Sequence, residues 1–450
     1  MLDKFFKLKE NKTSVSKELI ASLTTFMSMA YAIFVIPQIL SNTGMEYSAV
    51  YGATIIASAI GTLLIGLLGN VPYAQSAGIG LASLITYTIC GKMGYTWEQA
   101  LAMIFICGVI NVLITLSSIR KEIIKAIPTF IQDAITVGIG LFISYIGLIN
   151  SGLITFSASN INNGIAEDVV PSITSINNST IILSIIGIVI LTILLVKKVK
   201  GAYLIGIILT TIIGIPLGVT SLPNFSNYEM FPSISSTFFK MDFVGLFTSN
   251  NGILVVLISI FTLCISDLFD TIGVFIGTGK KSNIFKLDKD GNMPKKLERA
   301  LFADSVGTVV GSILGTSNIT TYVESSTGIE EGGRTGLTSV FVSIFFLLML
   351  FISPIIKCVP MSAVSPVLIL IGASMIGNVK NIDFENLLIG IPAFFVIIMM
   401  PLSYSITTGI EFGFITYVLV SIISGNAKKV SPIVYIFSIL FIIKYAIGTV

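Results

Sequence analysis

Apolar residues in this chain run on in long blocks instead of recurring at the 3–4 residue spacing of a surface helix. About 20 consecutive apolar residues span the hydrocarbon core of a bilayer. Blocks of that kind fall at 20–41, 49–69, 98–117, 128–150, 179–197, 201–220, 251–277, 336–356, 361–378, 386–403 and 409–425. Three further apolar stretches, 78–91, 301–314 and 322–329, are short or interrupted. Together they predict fourteen crossing elements. A final segment, 432–448, is borderline in length and reads either as an extra C-terminal apolar helix or as one lying along the interface.

Composition supports that pattern. Of 450 residues, 54% are hydrophobic and 11% charged, where a soluble domain carries about 25% charged residues. The basic residues are unevenly placed. With the N-terminus in the cytoplasm, 22 of the 26 Lys and Arg fall on the inner side, and only Lys92, Lys240 and Lys357 on the outer, as the positive-inside tendency requires. Lys444 lies in the last segment. The basic 279–300 loop fixes topology, with anionic lipid as a second reading. The N-terminus MLDKFFKLKENKTSVSKE reads as a polar inner segment and not as a cleavable signal. With no histidine, His-ligated metals and His proton relays are excluded. Cys90, Cys107, Cys264 and Cys358 lack paired spacing and read as small packing residues without disulfide or zinc. No cofactor is implied, and nothing points to nucleic acid.

An internal repeat is visible. "IKAIPTFIQDAITVGIGLFISYIGLIN" (124–150) matches "IKCVPMSAVSPVLILIGASMIGN" (356–378), the first running outward and the second inward. That predicts two inverted seven-element repeats, about 19–220 and 251–425, in a single domain. The short elements 78–91 and 322–329 then hold the third position of each half. Interrupted segments at matching positions are the best sequence pointer to a transporter binding site.

The candidate chemistry lies there. "CISDLFDTIGVF" (264–275) puts Asp267 and Asp270 three residues apart on one helix face. An ionised carboxylate at the bilayer centre costs roughly 2.5–3.5 kcal/mol on insertion scales, so both must face protein or a water-filled cavity. In "GTSNITTYVESSTGIEEGGRTG" (315–336), Gly315–Thr321 predicts an extended stretch, followed by a short helix from Tyr322 with Glu324 in its first turn. The N–H groups of such a helix end can hold anionic or carbonyl groups. The matching element "YAQSAGIGLASLITY" (73–87) carries Gln75, Ser76, Gly78 and Gly80. Irregular backbone at membrane depth is tolerated only where it is buried in protein or lines a cavity, so both short helices are expected to start at one pocket. Gly307, Gly311 and Gly315 form a small-residue packing stripe. Asp304 reads as structural, and Asp133 and Glu411 as interfacial. Glu330–Arg334 reads as a structural inner turn. Pro37 is expected to break the first span, with Tyr31 and Phe34 beside the break.

"LTTFMSMAYAIFVIPQIL", "SDLFDTIG", "TSNITTYVESSTGIEEGGRTGLTS" and "IPAFFVIIMMPLSYSITTGIEFGFITY" together resemble the adenine/guanine/hypoxanthine permease family, the AzgA-like branch of the nucleobase–cation symporters. The resemblance covers essentially the whole chain. It implies a fold similar to the uracil permease: an all-α polytopic membrane protein of fourteen elements in two inverted repeats. A core would span about 20–117 and 251–356, and a gate about 128–220 and 361–425. It implies proton-coupled import of purine bases across the cytoplasmic membrane, with Asp270 and Glu324 as the two substrate-binding carboxylates. Relatives of this fold are often dimers, which makes a homodimer an expectation by analogy. The family's third element usually reads small-Pro-Gly-Met-Gly-Leu-Asn. Here it is Ser76-Ala77-Gly78-Ile79-Gly80-Leu81-Ala82, and Ile36 stands where the family has Asn.

The resulting expectation is specific. Asp270 and Glu324 accept ring N–H groups, and backbone N–H groups around Gly78, Ile79, Gly80, Ala82, Thr321 and Tyr322 donate to ring acceptors. Tyr322 or Phe34 stacks on the base. Burial favours the protonated form of a carboxyl group, so proton coupling falls to Asp267, Asp270 or Glu324. The rivals are another heterocycle, an anion carrier of the same architecture, a passive channel and an intramembrane aspartyl protease. The last needs two Asp on different helices sharing a proton, whereas Asp267 and Asp270 share one.

Overall fold

The computed structural model describes residues 2–117, 128–162, 165–222, 232–249, 252–281, 284–285, 295–352 and 358–447. Of the basic residues used for topology, Arg120, Lys121, Lys125, Lys286, Lys289 and Lys357 lie outside that range, as do half of the 279–300 loop and the Ile–Lys pairs that open the two matching segments.

A short helix α1 (Leu2–Phe6) precedes α2 (Val15–Met29), α3 (Ala32–Ser41) and α4 (Tyr47–Leu64). Strand β1 (Gln75–Ala77) leads into α5 (Ile79–Ser83), which continues as a wider turn to Lys92. Then come α6 (Trp97–Leu116), α7 (Thr129–Asn150), the hairpin β2 (Ile154–Asn162) and β3 (Ile165–Ile173), α8 (Ser179–Val196) and α9 (Ala202–Gly214). The second half holds α10 (Phe243–Phe247), α11 (Ile253–Lys281), α12 (Lys295–Leu314), β4 (Ile319–Thr321), α13 (Ser325–Glu330), α14 (Gly336–Leu348), α15 (Met361–Ile376), α16 (Leu387–Leu402) and α17 (Ile406–Ile423). α18 (Pro432–Ile447) closes the chain. Each of the fourteen expected crossing elements is matched by a helix, and the final segment is a helix as well. Hydroxyl and amide side chains start many of them. Ser14, Thr96, Asn178, Thr335, Asn386 and Ser405 each accept a backbone N–H of the first turn.

Three boundaries differ from expectation. The break in the first span falls at Ala30–Tyr31, between α2 and α3, and Pro37 sits inside α3; the residues before a proline need not leave the helix if neighbouring elements hold it. The second short helix begins at Ser325, so Glu324 occupies the N-cap position and not the first turn. The β2–β3 hairpin was not anticipated: its residues read only as a polar connection between two spans.

Elements at matching positions of the two halves meet, as an inverted repeat requires. β1 pairs antiparallel with β4, Gln75 opposite Thr321 and Ala77 opposite Ile319. The ladder is extended by Gly78 N–H donating to Asn318 O and Tyr322 N–H to Ala74 O. α7 packs along α15, and Gly140 and Gly372 permit the crossing: a Cβ on Gly140 would stand 2.8 Å from Gly372 O. Gly307 and Gly311 of α12 pack on Ile319 of β4, so the small-residue stripe receives a strand. Two packing groups result. α4, α11 and α12 pack on the strand pair with α6 and α14 behind them, whereas α7, α8, α9, α15, α16 and α17 pack mainly on one another.

Candidate binding site at the strand pair

Because β1 and β4 run antiparallel, α5 and α13 leave the pair at opposite ends. Their N-termini therefore flank the strand pair in the bundle interior. A buried acid fixes this arrangement. Asp304 of α12 accepts from Gln75 Nε2 at 2.8 Å, from the Thr321 hydroxyl at 3.0 Å and from the Thr271 hydroxyl at 2.9 Å. One carboxylate thus joins both strands to two helices, as the structural reading expected. Thr321 and Gln75 turn their side chains into this network. Ser76 bonds Ser58 at 2.8 Å.

Asp267 and Asp270 serve different neighbours. Asp267 is buried and accepts from Asn111 Nδ2 of α6 at 2.7 Å. Asp270 accepts from the Thr320 hydroxyl on β4 and keeps exposed surface. Glu324 is partly exposed, and its carboxylate accepts the Tyr31 hydroxyl at 2.6 Å. It makes no side-chain cap bond to α13. Asp270 lies within electrostatic reach of Glu324 and Tyr322. The groups around them, Ser76, Thr320, Tyr31 and Tyr322, are all buried. Two accessible carboxylates beside buried polar groups make a candidate site that presents acceptors.

Of the remaining expected residues, Tyr322 and Gly78 lie at the strand pair. The Tyr322 hydroxyl donates to Ala77 O at 2.6 Å, which pins its ring across the strand pair. Gly78 faces Thr320, and a Cβ there would stand 3.0 Å from the Thr320 hydroxyl. Gly80 faces Ile139 of α7 at 3.0 Å on the same measure, so a bulkier residue would push against the second packing group. Ile79, Ala82, Phe34 and Ile36 are buried apolar residues.

Four features escaped the sequence. Tyr31 was placed beside a break, but its carboxylate partner 293 positions away was not visible. Tyr203 of α9 packs edge-on against Tyr31 at 5.1 Å. Glu18 reads as part of a polar tail, yet it is buried and accepts the backbone N–H groups of Arg334 and Thr338 at 3.0 and 3.2 Å, capping α14 from a distant helix. Glu411 is not interfacial. It is buried, and it pairs with Lys444 Nζ at 2.7 Å and with the Tyr445 hydroxyl at 2.5 Å, because α18 brings a cation and a donor to it. Among the described residues no His/Cys/Asp/Glu cluster suits a metal.

Comparisons with known proteins agree with this architecture. The transmembrane domain of a cyanobacterium bicarbonate transporter superposes with a TM-score of 0.61 at 15% identity, covering 88% of this chain and 96% of that one; this is a likeness of fold. An adenine permease of Escherichia coli is 36% identical over 99% of this chain and 96% of its own length. A guanine/hypoxanthine permease of Bacillus subtilis is 36% identical over 98% of this chain and 99% of its own. These relatives are permeases and not enzymes. The family model Xan_ur_permease, described as a permease family, matches residues 16–412. The chain is a multi-pass membrane protein that belongs to this permease family, in the group of the adenine and guanine/hypoxanthine permeases.

Proposed function

We propose that the protein is a proton-coupled symporter that imports purine nucleobases across the cytoplasmic membrane by alternating access. The observation that carries this reading is the pair of accessible carboxylates, Asp270 and Glu324, beside the β1–β4 pair. A purine offers ring N–H donors and carbonyl or ring-nitrogen acceptors on one flat edge. Asp270 and Glu324 accept the donors, and backbone N–H groups at the starts of α5 and α13 meet the acceptors. Facing carboxylates repel an anion, which sets the anion-carrier reading behind a base. The names of the relatives, adenine and guanine/hypoxanthine permeases, favour purines over other heterocycles. Ala82 and Ile36, which lack the amides of the family pattern, shift recognition further onto the two acids.

Alternating access is supported by the two packing groups. In this reading the core (about 20–117 and 251–356) carries the site and the gate (about 128–220 and 361–425) moves against it. One end of their seam is closed. Tyr87 of the core packs edge-on against Tyr404 at 5.7 Å, Phe142 backs Tyr404 at 5.6 Å, and Lys92 Nζ donates to Ser403 O at 3.3 Å. With the N-terminus in the cytoplasm this is the outer end. The coupling proton is carried by Asp270 or Glu324; Asp267, held by Asn111, ranks behind them.

The test is uptake of radiolabelled hypoxanthine, guanine, adenine, xanthine and uracil in a transport-deficient cell, with and without a protonophore. Protonophore-sensitive uptake of a purine that disappears in Asp270→Ala is expected. Uptake that persists in a well-expressed Asp270→Ala would overturn the assignment.

A further inference from the structure

We propose that Tyr31 is the positioning residue for Glu324: its hydroxyl holds the carboxylate in an acceptor geometry that selects ligands presenting an N–H at that edge. The inference rests on the purine reading above and adds a specificity element to it.

Tyr31 sits at the two-residue junction between α2 and α3, where the backbone stays in the right-handed helical region, and its ring lies beside Tyr322 at the end of the strand pair. It is 2% exposed. Its hydroxyl donates to Glu324 Oε1 at 2.6 Å, a short charge-assisted bond of the stronger class. The ring is clamped from two sides, by Tyr203 at 5.1 Å and Tyr322 at 6.2 Å between centroids. Tyr322 is fixed in turn by Ala77 O. The hydroxyl therefore has little freedom to turn away. A carboxylate offers about four acceptor sites, and the Tyr31 hydroxyl and the residue's own backbone N–H occupy part of that capacity. What remains faces the accessible side, where Glu324 keeps surface. A ligand edge with a lone pair in place of N–H meets a second acceptor there and is rejected. Rejection through a buried polar group left unpaired is how binding sites discriminate most steeply. Tyr203 belongs to α9 in the second packing group, so the ring that orients the acid also touches the element against which the site would move.

The experiment compares wild type, Tyr31→Phe, Tyr31→Ala and Glu324→Gln at matched surface expression, reading KM, Vmax and the pH profile for the best purine substrate and for an analogue lacking one ring N–H. Tyr31→Phe keeps the ring and its packing and removes only the donor. Its KM is expected to rise about tenfold, the loss of one hydrogen bond to a charged group, with Vmax within about twofold. Its pH profile should shift and its preference for the substrate over the analogue should shrink. A Tyr31→Phe protein with wild-type KM, pH profile and preference beside an inactive Glu324→Gln would overturn the proposal alone. Loss in Tyr31→Ala with Tyr31→Phe unaffected would do the same, since it leaves only packing. Equal purine uptake by wild type and Glu324→Gln would overturn the underlying reading and the proposal with it.

Discussion

Three acids of the bundle interior, Asp304, Asp267 and Asp270, look alike in the sequence and differ in what surrounds them. Asp304 is saturated by Gln75, Thr271 and Thr321. Removing it strands three buried donors, each worth about 1–3 kcal/mol. Asp270 keeps exposed surface beside Thr320 and carries much less of the fold. Asp304→Ala should therefore unfold well below wild type in detergent, while Asp270→Ala melts near wild type. Thermal unfolding of the two purified variants side by side checks this, and Asp270→Ala melting first would refute it. Asp270 and Glu324 were legible because a carboxylate in an apolar run is costly and needs a reason. The Tyr31–Glu324 bond was not, because no local pattern links residues so far apart. Glu18 was hidden by its position in a lysine-rich tail, although the backbone it caps begins right after the Gly332–Gly333 turn.

At the scale of elements, apolar block length translated almost directly into helices, because bilayer thickness sets both. The extended stretch before the second half-helix was legible from its β-branched residues, Ile319 to Thr321. The β2–β3 hairpin was not, since its strands lie outside any apolar block. α18 has the most unexpected role. The family match ends at residue 412, before this helix, yet α18 buries Lys444 against Glu411 of α17 and packs Phe437 and Phe441 against Phe261 of α11. It thereby touches one helix of each packing group. Breaking a buried ion pair by removing one partner costs about 3–5 kcal/mol, whereas replacing both can be neutral. Lys444→Met should lower the unfolding temperature of the purified protein sharply, and adding Glu411→Gln should restore much of it. A double variant no better than the single one would show that the pair does not act as a unit.

For the whole molecule, the inverted repeat explains why two short, unimpressive segments build the site. Neither strand has a sheet of its own; the antiparallel pairing of one half with the other satisfies part of their backbone groups in the interior, and the hydroxyls of Thr62, Thr308 and Tyr322 bond others. The helix starts then flank one strand pair with Asp270 and Glu324 beside it, and Tyr31 touches the second packing group through Tyr203. In the proposed function this arrangement would join recognition of a base to proton movement and to rearrangement of the two groups. Proteoliposomes holding a pH-sensitive dye test that joint claim most directly. Addition of hypoxanthine or guanine outside, with no imposed gradient, should acidify the interior as labelled base enters, and both signals should vanish in Asp270→Ala. Entry of the base with no change in internal pH would contradict the account.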